Sequence, residues 1–442
     1  DTAASRSLNF TAGGFCSIGQ NGTDNGTLTL KGTAAFTGNN DFNVGDVGSS
    51  VGTLNVQDSA NLPVVSFFVG SANATNVTAS GTVNQTGGTL TQTSTTTGAF
   101  AIGGRLDVAS VNGVGVYNLS GGVLNTATAI RLGGGGAGTF NQSGGTVNCG
   151  VDVNIARFAG SSGTYNLNGG TPRAQRDTSS TAVNATLNLN GGVLLATQDG
   201  TSVITNLSLV NVRNGGAIVD TAGYTVSINS ALQHSSLGGD NAIDGGLTKR
   251  GAGTLTLAET FSTYTGPTFV SAGTLVAYPN SASSLNDLTV SNATFGLSLN
   301  GGGASVNAAS LNLKGTAGLN FNYDLISGTP VAALNVSGGL AVSGLTTINV
   351  FGYGWSPGQF TLVDYTGAAL PNLGSFVLGA LPYGVSATLS NNAANTSIDL
   401  VVSSVGSITA WVPLVLTDPA GTSSFNAGNN WLDFSPPSIN NG

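Results

Sequence analysis

The sequence predicts an all-β fold, a right-handed parallel β-helix followed by an irregular C-terminal tail. Glycine supplies 68 of the 442 residues, methionine is absent and Glu259 is the single glutamate, so good helix formers other than alanine and leucine are scarce. Apolar residues come in short runs that alternate with Thr, Ser or Asn, which is the pattern of half-buried strands. A glycine-containing phrase also recurs along the first half of the chain.

The recurring phrase favours a solenoid over other all-β folds. Five close copies share the frame Gly-Thr-apolar-Asn-x-x-Gly-Gly with small changes, for example GTVNQTGG at 81–88 and GTFNQSGG at 138–145. Weaker copies begin at residues 26 and 52, and a second phrase, apolar-x-apolar-Gly, stands before most copies. Repeats with several short strands and glycine-rich corners are typical of coils that stack as parallel strands. A right-handed coil is expected because parallel crossovers are right-handed in nearly all proteins.

Within each copy the apolar residue and the asparagine after it point to opposite sides of the strand. The apolar position is expected to fill the core because stacked coils bury apolar surface that one coil cannot bury alone. These residues are Val83, Tyr117, Phe140, Tyr165 and Leu187. The next position is expected to form an asparagine ladder, which consists of Asn84, Asn118, Asn141, Asn166 and Asn188.

The chain divides into three regions by regularity. Residues 1–200 carry the clear repeats, and 201–405 are a more irregular continuation of the β-helix with no visible linker. Residues 406–442 do not look like another coil, since they contain two of the three tryptophans and two adjacent prolines. We interpret this last stretch as an extended tail for capping the solenoid or docking another subunit.

Residues 246–277 read GLTKRGAGTLTLAETFSTYTGPTFVSAGTLVA. This stretch resembles the autotransporter-associated β-strand repeat, which occurs in passenger regions of exported bacterial surface proteins. The matching pieces are GLTK (246–249), GTLTL (253–257), YTG (264–266) and AGTL (272–275). The resemblance implies a β-helical stalk outside the cell and supplies no catalytic residues.

Export is expected also from the start of the sequence, which is Asp1 with no basic-then-apolar leader, as in a mature protein whose signal has been cleaved. A fragment of a longer protein fits the same observation. The predicted location is therefore extracellular or on the outer cell surface. No stretch reaches the roughly 18 apolar residues of a membrane helix, so the chain is not expected to span a membrane.

Composition argues against several partners and chemistries. The net charge is −8 and the 11 basic residues are spread along the chain, so nucleic acid is not an expected partner. The nearest acidic pairs, Asp41 with Asp46 and Asp240 with Asp244, stand in Gly/Asn-rich turns, where aspartate usually bonds the local backbone. His234 is the only histidine, which argues against a His-rich zinc site. We expect no enzyme, no cofactor and no metal; a polysaccharide lyase or hydrolase is the least favoured alternative.

The leading functional hypothesis is a structural subunit of an extracellular filament that assembles head to tail with copies of itself. Buried aromatics tend to dominate contact energies, so the aromatic residues of the tail and the apolar residues of the first coil are the candidate interface. These residues are Trp411, Phe425, Trp431, Phe434, Leu8 and Phe10. A tail that caps its own last coil is the open alternative.

A second functional hypothesis is a surface adhesin whose stalk binds glycans or neighbouring surfaces. The aromatic-rich stretch at 348–360 supplies its candidate glycan contacts, Tyr353 and Trp355.

Cys16 and Cys149 are the only two cysteines. About five coils separate them, which places their Cα atoms on the order of 25 Å apart, beyond the roughly 7 Å limit for a disulfide. We expect no bond within one chain. A disulfide between neighbouring subunits is the candidate role, and a buried small hydrophobe is the plainer interpretation of Cys16.

Overall fold

The computed structural model describes residues 7–10, 15–38, 41–71, 78–105, 112–156, 158–173, 177–178, 184–258, 262–279, 285–299, 301–326 and 330–406. In these residues the chain forms strands and turns and no helix. The strands stack as a β-solenoid of about 12 turns, which confirms the predicted fold class. The right-handed sense of the coil stays a prediction.

Twenty short strands lie in the part of the chain that carries the clear repeats. They are β1 (Ser7–Phe10), β2 (Cys16–Ile18), β3 (Asn25–Leu30), β4 (Ala35–Gly38), β5 (Asp41–Val44), β6 (Val51–Val56), β7 (Asn61–Val64), β8 (Ser66–Val69), β9 (Ser80–Gln85), β10 (Thr89–Gln92), β11 (Phe100–Ile102), β12 (Val114–Leu119), β13 (Val123–Thr126), β14 (Ile130–Leu132), β15 (Ala137–Gln142), β16 (Thr146–Cys149), β17 (Val153–Ile155), β18 (Ser162–Leu167), β19 (Thr171–Arg173) and β20 (Asp177–Thr178).

The remaining strands include two much longer ones. They are β21 (Ala185–Leu189), β22 (Val193–Leu195), β23 (Thr201–Thr205), β24 (Leu209–Val212), β25 (Ala217–Asp220), β26 (Thr225–Ile228), β27 (Leu232–His234), β28 (Leu247–Arg250), β29 (Thr254–Leu257), β30 (Thr268–Val270), β31 (Thr274–Ala277), β32 (Asp287–Ser291), β33 (Thr294–Ser298), β34 (Val306–Ala308), β35 (Ser310–Leu325), β36 (Leu334–Val336), β37 (Leu340–Tyr353), β38 (Gly358–Tyr365), β39 (Phe376–Leu378), β40 (Val385–Asn392) and β41 (Ser397–Val405).

Successive coils place their strands on three faces. Face 1 is a nine-stranded parallel sheet that begins with β3, β6 and β9, and the five close copies of the Gly-Thr-apolar-Asn frame lie on its strands β9, β12, β15, β18 and β21. Face 2 begins with β1, β4 and β7, and face 3 with β2, β5 and β8. A coil of the clear repeat region therefore holds three short strands, one more than the minimum of two that the two recurring phrases require.

Parallel pairing continues without a break past residue 200. On face 1 β21 pairs with β24, and on face 3 β20 pairs with β23. Further on, β35 spans two faces: residues 310–314 pair with β32, and 318–322 pair with β33. One stack of strands therefore runs through residue 200. The predicted division there, which rests on the regularity of the repeats, stays a prediction.

The repeat copies lie in register, residue over residue. On face 1 Tyr117 pairs with Val83 and with Phe140, and Tyr165 pairs with Phe140 and Leu187. All five side chains are buried, which confirms the predicted core position. On face 3 the rings of Phe42, Phe67 and Phe100 stack with centroids 5.7 and 5.4 Å apart. Such contacts add about 0.5–1.5 kcal/mol each to the burial term.

The outward side of face 1 carries the predicted asparagine ladder. Each amide nitrogen donates to the amide oxygen of the preceding coil over 2.6–3.0 Å. The ladder is longer than the repeat copies indicate: it begins where Asn55 donates to Thr29 and ends at Asn211. A continuous row of side-chain amides thus reinforces the backbone pairing between coils.

Glycine is required where a corner approaches the next coil. Gly70 has a φ of +64°, and a Cβ there would lie 2.1 Å from the carbonyl oxygen of Val114. Gly70 ends the apolar-x-apolar-Gly phrase, so this phrase marks the corner at which coils come closest.

The described C-terminal end differs from the stack of coils. Strand β38 still pairs in parallel with β36, but its other neighbour, β41, is antiparallel. Strand β40 then pairs antiparallel with β41 and forms the edge of this sheet. At the other end β1 pairs with β4, with Leu8 in register with Phe36.

Replacing Gly70 with alanine should destabilise the solenoid more than the same change at Gly32. Both glycines have a φ of +64°, but a Cβ at Gly32 has open space around it. We expect about 1–2 kcal/mol for Gly32→Ala from the left-handed conformation alone. Gly70→Ala should cost about 1–3 kcal/mol more, because the coils must separate. Urea unfolding of both variants measures the difference; equal losses would contradict the close approach.

Candidate functional site

The structure brings together one of the two acidic pairs singled out in the sequence, and it does so beside the only histidine. His234 lies at the end of β27, Asp244 in the turn before β28, and Thr265 in the segment before β30. Two adjacent coils therefore meet at one carboxylate, since Thr263 and Tyr264, just before Thr265, donate backbone hydrogen bonds to Leu232 on β27. We call this group, with Gly246 and Gly266, the Asp244 cluster.

The carboxylate of Asp244 is almost fully covered and accepts five hydrogen bonds within the cluster. Oδ1 accepts from the backbone N–H of Gly246 (2.9 Å) and of Gly266 (2.8 Å). Oδ2 accepts from the backbone N–H of Thr265 (2.8 Å) and from its hydroxyl (3.1 Å), and it lies 2.9 Å from Nδ1 of His234. Burial alone would raise the pKa of Asp244, but these hydrogen bonds outweigh burial and hold the pKa below its ordinary value.

The Asp244 cluster has the residue types of a nucleophile, a base and an orienting acid, but not their arrangement. In a catalytic triad the acid and the nucleophile contact different nitrogens of the imidazole ring. Here the Thr265 hydroxyl and the Asp244 carboxylate both face Nδ1 of His234, at 3.1 and 2.9 Å. A hydroxyl that donates to a carboxylate is held in place rather than activated. This geometry indicates that the Asp244 cluster holds adjacent coils together by hydrogen bonds.

A second carboxylate close to the Asp244 cluster is also bonded within the structure. Both oxygens of Asp240 accept from Nε of Arg213, at 3.1 and 2.9 Å, and Ser235 donates its hydroxyl to Oδ2 at 2.5 Å. The Arg213 guanidinium holds the pKa of Asp240 below its ordinary value. Asp240 thus joins two coils as an ion pair with one buried partner.

The other acidic pair, Asp41 and Asp46, splits between two environments. Asp46 is buried and accepts hydrogen bonds from Ser17 (2.8 Å) and Ser71 (2.7 Å), which belong to the preceding and following coils. Asp41 lies 3.7 Å from the guanidinium of Arg105. The two carboxylates therefore have different partners, and Asp46 bonds across coils rather than only within its own turn.

Lys249 has a structural role that the sequence analysis did not predict, since it noted this residue only as part of the GLTK motif. Its side chain is fully buried, and Nζ donates to the carbonyl oxygens of Arg250 (3.1 Å), Gly251 (2.7 Å) and Ala272 (2.9 Å). Burial lowers the pKa of Lys249 to about 8, an effect that the Asp220 carboxylate partly offsets. The ammonium group satisfies carbonyls of two adjacent corners. Lys249 stands two residues after Leu247, so strand alternation places both on the same, buried side, and this spacing is the signal that could have shown its burial.

The comparisons with known proteins bear on this region. Residues 247–277 match the family model described as Passenger-associated-transport-repeat. The match confirms the resemblance that the sequence carries at 246–277. Comparisons with curated proteins and with solved structures give no match. The matched segment contains Lys249, Thr265 and Gly266, so it supplies the carbonyl-bound lysine and two of the five residues of the Asp244 cluster.

The matched segment forms ordinary coils of the stack. Leu255 and Leu275 are buried in register with each other. Tyr264 is also buried, its hydroxyl lies 2.6 Å from the hydroxyl of Thr268, and burial raises its pKa to about 12. The segment is thus part of the continuous solenoid and not a separate module.

The predicted glycan contacts, Tyr353 and Trp355, lie at the C-terminal end but differ in exposure. Tyr353 is half exposed, whereas Trp355 is buried between the rings of Tyr323 (5.2 Å) and Phe360 (5.0 Å). The indole Nε1 of Trp355 donates to the carbonyl oxygen of Gly352 at 3.2 Å. Trp355 is only 7% exposed, so little of the indole is open for stacking on a sugar. Glycan contact by this pair stays a prediction, and it would depend on Tyr353.

The two cysteines are free thiols on different faces of the solenoid. Cys16 is partly exposed on face 3, and Cys149 is buried on face 2, where its Sγ lies 3.2 Å from the carbonyl oxygen of Asp152. Burial raises the pKa of both thiols, which lowers their reactivity. A disulfide between subunits stays a prediction, and the burial of Cys149 argues against it.

The tail residues of the predicted interface, Trp411, Phe425, Trp431 and Phe434, lie outside the described residues. Leu8 and Phe10 lie on β1, the edge strand of face 2. Within the described ranges no three His, Cys, Asp or Glu side chains converge as a metal site would require. The same part of the chain has no helix of the length and apolarity that crossing a bilayer requires.

Replacing Asp244 with asparagine should destabilise the protein by about 2–3 kcal/mol at neutral pH, because one oxygen that accepts from backbone donors becomes a donor itself. The pKa of Asp244 is lower in the folded chain than in the unfolded chain. Its stabilisation is therefore complete above the unfolded-state pKa of about 3.9 and is lost as the pH falls through the folded-state pKa. The difference between wild type and Asp244→Asn should shrink over that range. Urea unfolding at several pH values measures it.

Asp324→Asn is the matched control for this change. Asp324 is exposed, and its φ of +52° suits asparagine equally well. Its effect on stability should stay within about 0.5 kcal/mol. A loss at Asp324 as large as the loss at Asp244 would show that the cluster is not the cause.

Lys249→Met should destabilise the protein by about 2–3 kcal/mol at pH 7, because the carbonyls that Nζ now binds would lose their donor in a buried corner. Lys314→Met is the control, since Lys314 is exposed on β35, and it should change the unfolding free energy by less than about 0.5 kcal/mol. Thermal unfolding followed by circular dichroism compares the two. Equal stability of both variants would contradict a structural role for Lys249.

Proposed function

We propose that the chain is a non-enzymatic structural rod of an exported bacterial surface protein. The observation that carries the proposal is the position of the matched repeat, which is built into one uninterrupted stack of about 12 coils. At a strand spacing of about 4.8 Å, such a stack is a rod roughly 60 Å long. A stack of this kind separates its two ends by a fixed distance, as a surface stalk must.

The polar side chains support the same proposal. Catalytic groups need an unsatisfied acid, base or nucleophile that faces a substrate. The carboxylates of Asp46, Asp240 and Asp244 instead bond donors from neighbouring coils, and Lys249 binds carbonyls. Each of these groups already has the partners that its charge requires. Their role is to fix one coil on the next.

Head-to-tail assembly into a filament is the finer form of this proposal, and the described C-terminal end does not favour it. A following coil would have to stack in parallel on the last coil, but β38 pairs antiparallel with β41 there. The open N-terminal strands of the described chain are compatible with assembly. Filament formation therefore stays a prediction that depends on the tail.

The adhesin alternative has one favourable observation, the exposed Tyr353 beside further exposed aromatic side chains at this end. Few polar groups surround these rings, whereas sugar recognition requires several oriented hydrogen-bond partners. We therefore rank the adhesin below the structural rod.

Antibodies against the purified chain should label intact, unpermeabilised cells of the source bacterium. Immunogold electron microscopy measures this, with a cytoplasmic marker that is labelled only after permeabilisation as the control. The same purified chain should release no reducing or unsaturated sugars from pectin or alginate. Labelling confined to permeabilised cells would overturn the proposed location, and sugar release would overturn the non-enzymatic role.

A further inference from the structure

The described C-terminal end contains an apolar cavity of about 290 Å³ that the solenoid does not fill. It lies between the end of β37, the loop after β39 and the paired ends of β40 and β41. Its side chains include Phe351, Tyr353, Trp355, Tyr383, Val385 and Val405. We call this cavity the C-terminal aromatic pocket. None of the lining residues carries a charge.

The rim of the C-terminal aromatic pocket exposes an unusual amount of aromatic surface. Phe351 is 40% exposed, Tyr353 48% and Tyr383 81%. Leu325, the register partner of Tyr353, is 47% exposed. Single exposed apolar residues need no explanation, but a contiguous group around a cavity marks a contact surface.

The last described residues of the chain, Val405 and Gly406, lie at the rim of this pocket. Val405 lines the pocket and pairs with Val385, and the N–H of Gly406 donates to the carbonyl oxygen of Gly384 at 2.8 Å. The next ten residues, 407–416, read SITAWVPLVL and contain no charged side chain. Trp411 follows Gly406 by five residues, a reach of up to about 17 Å for extended chain. The most apolar part of the tail therefore starts beside the uncharged pocket.

We propose that Trp411 and the apolar residues around it occupy the C-terminal aromatic pocket of the same chain. An indole ring provides a large apolar surface with a single polar atom, which suits a pocket lined by aromatic rings and valines. The proline at position 413 disfavours a helical conformation for the residue before it, and an extended ligand along the rim is consistent with that preference. Docked there, the segment covers the exposed rings and lies next to the edge strand β40.

The segment's own chain is a better occupant than a second molecule. A short tether gives the tail an effective concentration in the millimolar range at the pocket, which a second copy in dilute solution does not reach. A glycan would need polar partners, but Nε1 of Trp355 already donates to Gly352 and the remaining polar side-chain groups are two tyrosine hydroxyls. The pocket thus favours an apolar, tethered ligand.

The test uses the full 442-residue chain with Trp355→Phe and Trp431→Phe, so that Trp411 is the only tryptophan. We expect its fluorescence to show a blue-shifted emission and weak quenching by iodide, both independent of protein concentration. Adding Phe351→Ser and Tyr383→Ser should red-shift the emission and restore quenching. Leu345→Ser is the matched control, since Leu345 is exposed on the same strand outside the pocket and should leave the signal unchanged.

Three outcomes would overturn the proposal. Trp411 that is accessible to iodide at every concentration would show that nothing binds it. Protection that disappears on dilution, together with a dimer mass by light scattering, would show docking in a second copy. Binding of a soluble oligosaccharide to the wild-type chain that requires Tyr353 and Tyr383 would assign the pocket to glycans.

A second measurement avoids dependence on Trp355→Phe, which alters a buried residue. The wild-type chain labelled with 5-fluorotryptophan gives three fluorine resonances, and Trp411→Phe assigns the one of interest. That resonance should shift when Phe351→Ser and Tyr383→Ser are introduced and stay in place with Leu345→Ser. If the chemical shift of this resonance is the same in the wild type and in the pocket variants, the proposal is overturned. This holds even where the fluorescence variant does not fold.

Discussion

Parallel backbone pairing in unbroken register is the constraint on which the other features of this structure depend. Because each residue lies over its counterpart in the next coil, a side chain that suits one position suits the whole column. Rings therefore stack on rings from Phe42 to Phe100, and amides bond amides from Asn55 to Asn211. The same register brings backbone so close at the corners that Gly70 has no room for a Cβ. A few residue types repeated many times are sufficient to specify this fold.

The register also explains how the few charged residues are used. A charge cannot be repeated in every coil, because like charges about 4.8 Å apart would repel. Three buried charged residues in the described part of the chain, Asp46, Asp244 and Lys249, bind neutral or opposite partners that include groups of adjacent coils. The hydrogen-bonding capacity of these carboxylates and this ammonium group is used to join coils. This use agrees with the proposal of a structural rod.

The sequence was sufficient for the regular half of the molecule and insufficient for its irregular parts. The frame around Tyr117 and Asn118 predicted core and ladder, because strand alternation alone decides which side each residue faces. It could not bring Thr265 to Asp244 and His234, since that contact depends on the lengths of irregular turns. The burial of Trp355 was equally beyond the pattern, because it depends on contacts with Tyr323 of β35 and Phe360 of β38. The antiparallel pairing of β38 with β41 could not be predicted, because neither strand contains a copy of the recurring phrase.

The difference between the two described ends limits how copies could associate. The N-terminal end presents β1, β2 and β3, each with one parallel neighbour among the described strands, so its backbone groups can accept another strand. At the C-terminal end β41 occupies the side of β38 on which a further coil would stack. A filament needs two complementary ends that repeat without closing. Because β41 blocks parallel stacking on β38, a filament would have to use the remaining edges of this end, β39 and β40, each of which has one neighbour among the described strands.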